Sequence, residues 1–280
     1  MMMAIYRAFR VVLVVSAFVW FWAGAVILAW TVLPLVALFS RDQRARIRRC
    51  QRIQSRAFQL FHAYMRVLTL LDARVTGTIA RPEGGGPVVI VANHTTLVDV
   101  TAILSRFPHA CCLTKPMYLR NPFIGRLLRL CGFISTETES LGGSTVIAKA
   151  IERLEQGFDV LVFPEGTRSP PGELLPFQLG AFEIACRAKV PLVPFLLQCT
   201  PSALTRDRPF WKQPDVVAVL TVQAQPPVDL AEIGYDSQEL RTRVEARYRT
   251  ALGLLPPNAD EPSRNRGTLR ADRRRRHGAR

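Results

Sequence analysis

Apolar and polar positions along the chain fall into distinct regimes. Residues 11–40, V-V-L-V-V-S-A-F-V-W-F-W-A-G-A-V-I-L-A-W-T-V-L-P-L-V-A-L-F-S, carry no charge at any of thirty positions. About twenty apolar helical residues cross the hydrocarbon core of a bilayer. The stretch therefore predicts a membrane-associated helix, longer than one simple span requires and bent at Pro34. A secretory signal fits poorly, since its apolar part covers about 7–15 residues before a small-residue cleavage site. A tilted span and a re-entrant helical hairpin both satisfy the pattern. Residues 41–71 predict a basic amphipathic helix, with Arg44, Arg46, Arg48, Arg49, Arg52 and Arg56 on the polar side and Phe58, Leu60, Phe61 and Leu68 for burial. Such a helix suits either anionic headgroups or ordinary solvent.

From residue 74 the pattern alternates between short apolar runs and helical periodicity. R-V-T-G-T-I-A, V-V-I-V-A (88–92), F-D-V-L-V-F (158–163) and V-V-A-V-L-T-V (216–222) read as strands. V-P-L-V-P-F-L-L (190–197) is an extended apolar run broken by prolines. Helices are expected after Asp99, over 144–156 with Ser144 as cap and Gly157 at the exit, over 177–189, and over 237–253. The expected fold class is α/β: a mostly parallel sheet flanked by helices, preceded by an N-terminal membrane-associated helical segment. Three regions follow: an anchoring apolar segment plus basic helix (1–72), an α/β domain (73–255), and a basic tail (256–280). The tail is rich in Pro, Asn, Gly and Arg and is expected to be disordered.

With 37 Lys and Arg against 22 Asp and Glu, the net charge is +15. That excess suits a membrane surface, nucleic acid, or an acidic or phosphorylated substrate. Much of it sits beside the apolar segment and in the tail, without any nucleic-acid recognition motif, so no nucleic-acid partner is expected. The cluster R-D-Q-R-A-R-I-R-R (41–49) favours cytoplasmic placement of everything downstream. The six cysteines show no C-x-x-C spacing, and the four histidines are scattered at 62, 94, 109 and 277. A metal site is not expected, and reduced thiols are.

Two polar clusters follow apolar strands. After V-V-I-V-A comes N-H-T-T-L-V-D, residues 93–99. Active sites of parallel sheets gather at the carboxyl ends of strands, where His94 is delivered. Positions five apart on an ideal helix point about 140° from each other. His94 and Asp99 therefore meet only if His94 precedes the helix and Asp99 lies in its first turn. Asp99 could then hold one imidazole nitrogen and leave the other as general base. A histidine satisfying local backbone beside a helix-start aspartate fits the same spacing. After F-D-V-L-V-F-P comes E-G-T-R-S, residues 165–169, expected as an exposed polar loop. Gly166 suits a tight turn, and Arg168 offers a fork for phosphate. No G-x-S-x-G elbow, P-loop or G-x-G-x-x-G is present.

The ordered set N-H-T-T-L-V-D, F-P-E-G-T-R-S and V-P-L-V-P behind an apolar N-terminus resembles the glycerolipid acyltransferases of the lysophosphatidate (1-acylglycerol-3-phosphate) acyltransferase family. The likeness covers roughly residues 75–200, close to half the chain. It implies that His94 acts as base with Asp99 as its partner. A lysolipid hydroxyl would attack an acyl-CoA or acyl carrier protein thioester, with no resident cofactor and no metal. It further implies that Glu165, Gly166, Thr167 and Arg168 bind the glycerol-phosphate part of the acceptor, with Lys115 as an added phosphate ligand. The implied location is the bacterial inner (cytoplasmic) membrane, catalytic domain on the cytoplasmic side. One departure stands out. Gly132, Phe133 and Ile134 match the second motif, but Glu137 and Thr138 replace the Asp-Arg pair whose arginine helps bind phosphate. Lys115, Arg168, Arg120 and Arg129 are the cations available to replace it; otherwise a different lysolipid is the acceptor.

Overall fold

Among the described residues of the computed structural model, which are 2–79, 81, 85–136 and 144–254, seven strands form one sheet. They are β1 (Leu71–Thr76), β2 (Val89–Ala92), β3 (Ala110–Thr114), β4 (Ile134–Ser135), β5 (Asp159–Val162), β6 (Leu192–Thr200) and β7 (Ala218–Ala224). Their order is β1-β7-β6-β2-β5-β3-β4, parallel throughout except for the antiparallel β6–β7 pair. Glu137, Thr138 and the tail 256–280 lie outside the described residues.

Side-chain alternation divides each central strand between two cores. On one face Ile90, Ala92 and Leu161 pack with Phe195, Val14, Phe61, Met65 and Ile103. On the other Val89, Val91, Val160 and Val162 pack with Ile147, Phe182, Leu240 and Val244. The first face is covered by α1 (Met2–Ile27), α3 (Gln43–Val67) and α4 (Asp99–Arg106). The second is covered by α7 (Ser144–Glu155), α8 (Gly180–Ala188) and α9 (Ser237–Ala251). A strand buried on both faces has no polar side to show, which is why β2 and, past Asp159, β5 read as apolar runs.

Several elements differ from the sequence pattern. The strand expected at 74–80 is β1, three residues earlier. The apolar run with prolines is one continuous strand, β6. Pairing with β7 begins at Phe195, one residue past Pro194, so its missing N–H costs no ladder bond on that side. β3, β4 and the short helices α5 (Pro116–Leu119) and α6 (Gly125–Leu130) had no periodic signature. They are too short for one, and β3 owes its place to lying between β5 and β4 rather than to the propensity of Ala-Cys-Cys-Leu-Thr.

The apolar N-terminus is α1, a wide π-helical turn (Leu28–Val32) and α2 (Leu33–Leu38) in sequence. Leu33 N–H bonds back five residues to Leu28, and the wider turn relieves Pro34, whose ring would clash with the preceding turn. Asp42 caps α3 by accepting from Ala45 N–H at 2.7 Å, and the chain doubles back along α1. Ile5–Leu38 is long and apolar enough to cross a membrane, and its most apolar 18-residue stretch has a mean hydropathy of 2.5. At 1.5 Å per residue it extends about 51 Å, well beyond a 30 Å hydrocarbon core. It is also tied to the domain along its length. Tyr6 donates to Asp215 O at 2.8 Å, Phe18 and Phe210 have ring centroids 4.1 Å apart, and Trp30 Nε1 donates to Pro122 O at 3.2 Å. Val14, Ala17, Ala25, Ala29 and Leu33 face the protein, while Ile5, Phe9, Val12, Val19, Trp20, Ile27, Leu35 and Leu38 are exposed.

Candidate active site

β2, β5 and β3 are parallel neighbours, so their carboxyl ends share one edge of the sheet. His94 follows β2 by two residues, Glu165 follows β5 by three, and Lys115 immediately follows β3. Asn93 prolongs the β2–β6 ladder with its side chain: its amide donates to Leu197 O at 2.8 Å and accepts from Leu197 N at 2.7 Å. This clamp ends the strand and sends His94 out of the sheet. Asp99 is the first residue of α4, which meets the geometric condition set by the spacing.

His94 Nδ1 lies 2.9 Å from Asp99 Oδ2. Asp99 is wholly buried and accepts at the same oxygen from Thr95 N (2.6 Å) and Thr96 N (2.8 Å), with Thr96 Oγ1 donating to its Oδ1. Every donor converges on the carboxylate, so it acts as pure acceptor and sets the histidine tautomer with the proton on Nδ1. Among the described residues no protein group meets Nε2, and the His94 side chain is 20% exposed. The ring rests against Phe163, centroids 4.4 Å apart. Beside this pair His62 Nε2 lies 2.9 Å from Thr101 Oγ1, whose proton goes to Val98 O at 2.8 Å. His62 is therefore the donor, and burial pushes its pKa down to about 4. It ties α3 to α4 as a neutral group.

The loop 165–169 is not the exposed polar loop expected. Glu165 and Ser169 are buried, Thr167 and Arg168 half-buried, and Gly166 exposed. The backbone supplies the compensation. Glu165 Oε1 accepts from His94 N at 2.7 Å and Oε2 from Leu175 N at 3.2 Å. Ser169 N donates to His94 O at 2.9 Å, so the backbone of the histidine is held from both sides by this loop. Gly166 has φ +69°, and a Cβ there would sit 2.8 Å from Gln178 Nε2. Arg168 Nη1 donates to Leu204 O at 2.9 Å, and Leu97 N donates to the same oxygen at 3.0 Å. Leu204 itself has φ +52°, strained for a branched residue, at the point where both loops meet. Two residues on, exposed Arg206 reaches Thr167 Oγ1 at 3.3 Å. Arg206 had no motif to announce it; only the return of the chain after β6 brings it here. Lys115 is exposed at the start of α5. Arg120 and Arg129 line a separate cavity with none of these residues.

Burial pushes the Glu165 carboxyl up from 4.5 to about 8, against the two N–H donors that favour its charged form. Between those values the unfolded chain has lost the proton and the folded chain keeps it, so stability falls as pH rises from about 4.5 to about 8 and then levels. Thermal midpoints of the protein and of Glu165→Gln, measured across that window, are expected to diverge by up to about 4 kcal/mol equivalent. A constant gap would refute this role of burial.

Comparison with known proteins places the chain in a family. The acyltransferase family model matches residues 72–198. The 1-acyl-sn-glycerol-3-phosphate acyltransferase of Salmonella typhimurium is 32% identical over 186 residues, covering 65% of this chain and 74% of that protein. The yeast (Saccharomyces cerevisiae) protein of the same name is 28% identical over 216 residues, covering 72% and 70%. The human beta form is 33% identical over 149 residues, covering 52% and 53%. The fold matches a crystal structure of the 1-acyl-sn-glycerophosphate (LPA) acyltransferase PlsC from Thermotoga maritima. The TM-score is 0.67 at 22% identity, covering 88% of this chain and 96% of that one.

Proposed function

The chain belongs to the 1-acyl-sn-glycerol-3-phosphate acyltransferase family, and on that premise we propose that it is a membrane-bound enzyme transferring a fatty acyl group from acyl-CoA or acyl carrier protein to the free hydroxyl of lysophosphatidate, yielding phosphatidate. The observation that carries the reading is the 2.9 Å His94 Nδ1–Asp99 Oδ2 bond, with Nε2 left unpartnered among the described residues. Nε2 takes the proton of the acceptor hydroxyl as its oxygen attacks the thioester carbonyl. The tetrahedral intermediate expels the thiolate, which takes that proton from the imidazolium. Asp99 stabilises the imidazolium without accepting its proton. The thioester is a substrate, and this chemistry calls on no resident cofactor or metal.

Glu165 acts from beneath, positioning the His94 backbone, while Arg168, Arg206 and Lys115 supply positive charge for the acceptor phosphate near Thr167 and Gly166. Arg206 stands in for the missing second-motif arginine. Bilayer attachment is supported by the exposed apolar side of Ile5–Leu38, far larger than a soluble surface tolerates, with its other side docked on the domain. That docking favours a helix lying in the interface, and the basic stretch 41–49 favours the cytoplasmic side of a bacterial inner membrane.

Glu137 and Thr138, standing where Asp-Arg is expected, favour a second reading in which another lysolipid is the acceptor. Thiol release by detergent-purified protein across a lysolipid panel separates the two. Lysophosphatidate is expected to give the highest kcat/KM, with Arg206→Ala raising its KM roughly tenfold, as for loss of a charge-assisted hydrogen bond. A faster zwitterionic or amino lysolipid, insensitive to Arg206→Ala, would replace the first reading with the second.

A further inference from the structure

The helix α9 lies beyond residues 72–198, which the acyltransferase family model matches. Its Glu245, Tyr248 and Arg249 stand at i, i+3 and i+4 and so share one face. That face meets the backbone on which His94 rests. Tyr248 is buried, with its hydroxyl 2.7 Å from Val91 O on β2 and 2.9 Å from Phe195 O on β6. A hydroxyl has one proton, shared here between carbonyls of two neighbouring strands. Phe195 pairs with Ala92, and Asn93 and His94 follow. The bond therefore pins β2 to β6 at the last rung before the chain leaves the sheet. Glu245 grips a second piece of backbone. Its Oε2 accepts from Phe177 N at 3.1 Å, its Oε1 accepts from Arg249 Nη2 at 3.1 Å, and the same nitrogen reaches Leu174 O at 3.5 Å. Between these anchors lies Leu175, whose N–H donates to Glu165 Oε2 at 3.2 Å and to Ser169 Oγ at 3.0 Å. Glu165 and Ser169 N–H in turn hold the N–H and C=O of His94.

We propose that Tyr248 and Glu245 are positioning residues for acyl transfer, acting through the backbone of His94 rather than on the substrate. Tyr248 fixes the end of β2, and Glu245 fixes the Leu175 N–H that holds Glu165 beneath the histidine. A catalytic group must be held within about 0.5 Å of its productive place by the packing and hydrogen bonds around it. His94 sits between a strand and a helix, so neighbouring elements must supply that restraint, and both routes from α9 converge on it. The Glu245–Arg249 pair is suited to the task by its shielding, with side chains 17% and 15% exposed. The Glu239–Arg243 pair, at the same spacing on the same helix, is 45% and 51% exposed. The inference rests on His94 as the general base.

The test is thiol release from acyl-CoA by the full-length protein in detergent micelles, over a range of lysophosphatidate, with a melting curve on each preparation. Tyr248→Phe keeps the ring and removes only the hydroxyl. Glu245→Ala removes both acceptor oxygens, and Glu245→Gln restores one for Phe177 N. Tyr248→Phe and Glu245→Ala are each expected to lower kcat about ten- to a hundredfold, the larger figure being the cost of a misplacement of about 1 Å, with KM unchanged. Glu245→Gln should recover part of the loss, and Glu239→Gln in the exposed pair should leave kcat as it was. The cycle with His94→Ala separates positioning from mere stability, because residues that act through the imidazole lose their effect once it is gone. In that background Tyr248→Phe and Glu245→Ala should change the residual rate little. Should Glu245→Ala fail to fold, Tyr248→Phe and Glu245→Gln carry the same cycle. An equal drop in both backgrounds, a raised KM at unchanged kcat, or no loss of kcat overturns the positioning role while leaving acyl transfer standing. Most of the activity kept by His94→Ala alone would remove the base, and this role with it.

Discussion

Replacing His94 by alanine is expected to lower thiol release from the acyl donor by about 10²–10⁴-fold, the contribution of a positioned general base, while the chain stays folded. The two roles of this residue are physically separable. Its backbone is structural, with N–H bonded to Glu165 and C=O to Ser169 N–H, and alanine keeps both bonds. Its ring is partly exposed and serves the chemistry. The lost stacking on Phe163 costs about 1 kcal/mol, a shift of a few degrees in thermal midpoint. A thiol-trapping assay and a melting curve on the same preparation read both quantities. Most of the activity retained in a folded variant would sink the base assignment.

Asp99→Asn should fail differently. Asp99 is wholly buried and collects Thr95 N, Thr96 N, Thr96 Oγ1 and His94 Nδ1. Asparagine offers one acceptor oxygen, and its NH₂ would face donors that have lost their partner. Each buried donor left unsatisfied costs about 1–3 kcal/mol, so a drop in midpoint of several degrees is expected beside an activity loss comparable to that of His94→Ala. If the amide turns its NH₂ toward His94, the imidazole proton moves to Nε2 and the base is blocked even where the fold survives. The pair of variants therefore yields a pattern: one inactive and stable, the other inactive and weakened. Equal stability of the two would show that the Asp99 network contributes little to folding.

The loop E-G-T-R-S turns inward, against the exposure that its polarity predicts, for a definite reason. Polarity in a sequence says that a group needs partners, not that water provides them. Glu165 finds its partners in the backbone N–H groups of His94 and Leu175, both invisible in a one-dimensional pattern. Arg206 beside Thr167 and Tyr248, with its hydroxyl 2.7 Å from Val91 O, have no one-dimensional signature either. Each joins elements far apart in the chain.

By itself the sequence determined the apolar N-terminal segment, the buried central strands and the amphipathic helices, and it set the condition under which His94 meets Asp99. All of these depend on periodicity or on partners within a few residues, where chain geometry leaves little choice. Tertiary structure alone decided the strand order, the lone antiparallel pair, the clamp of Asn93 on Leu197 and the inward turn of Glu165. It also decided that the N-terminal helix lies along the domain. Those features are set by which surfaces and backbone groups, a hundred residues apart, must satisfy one another once water is excluded.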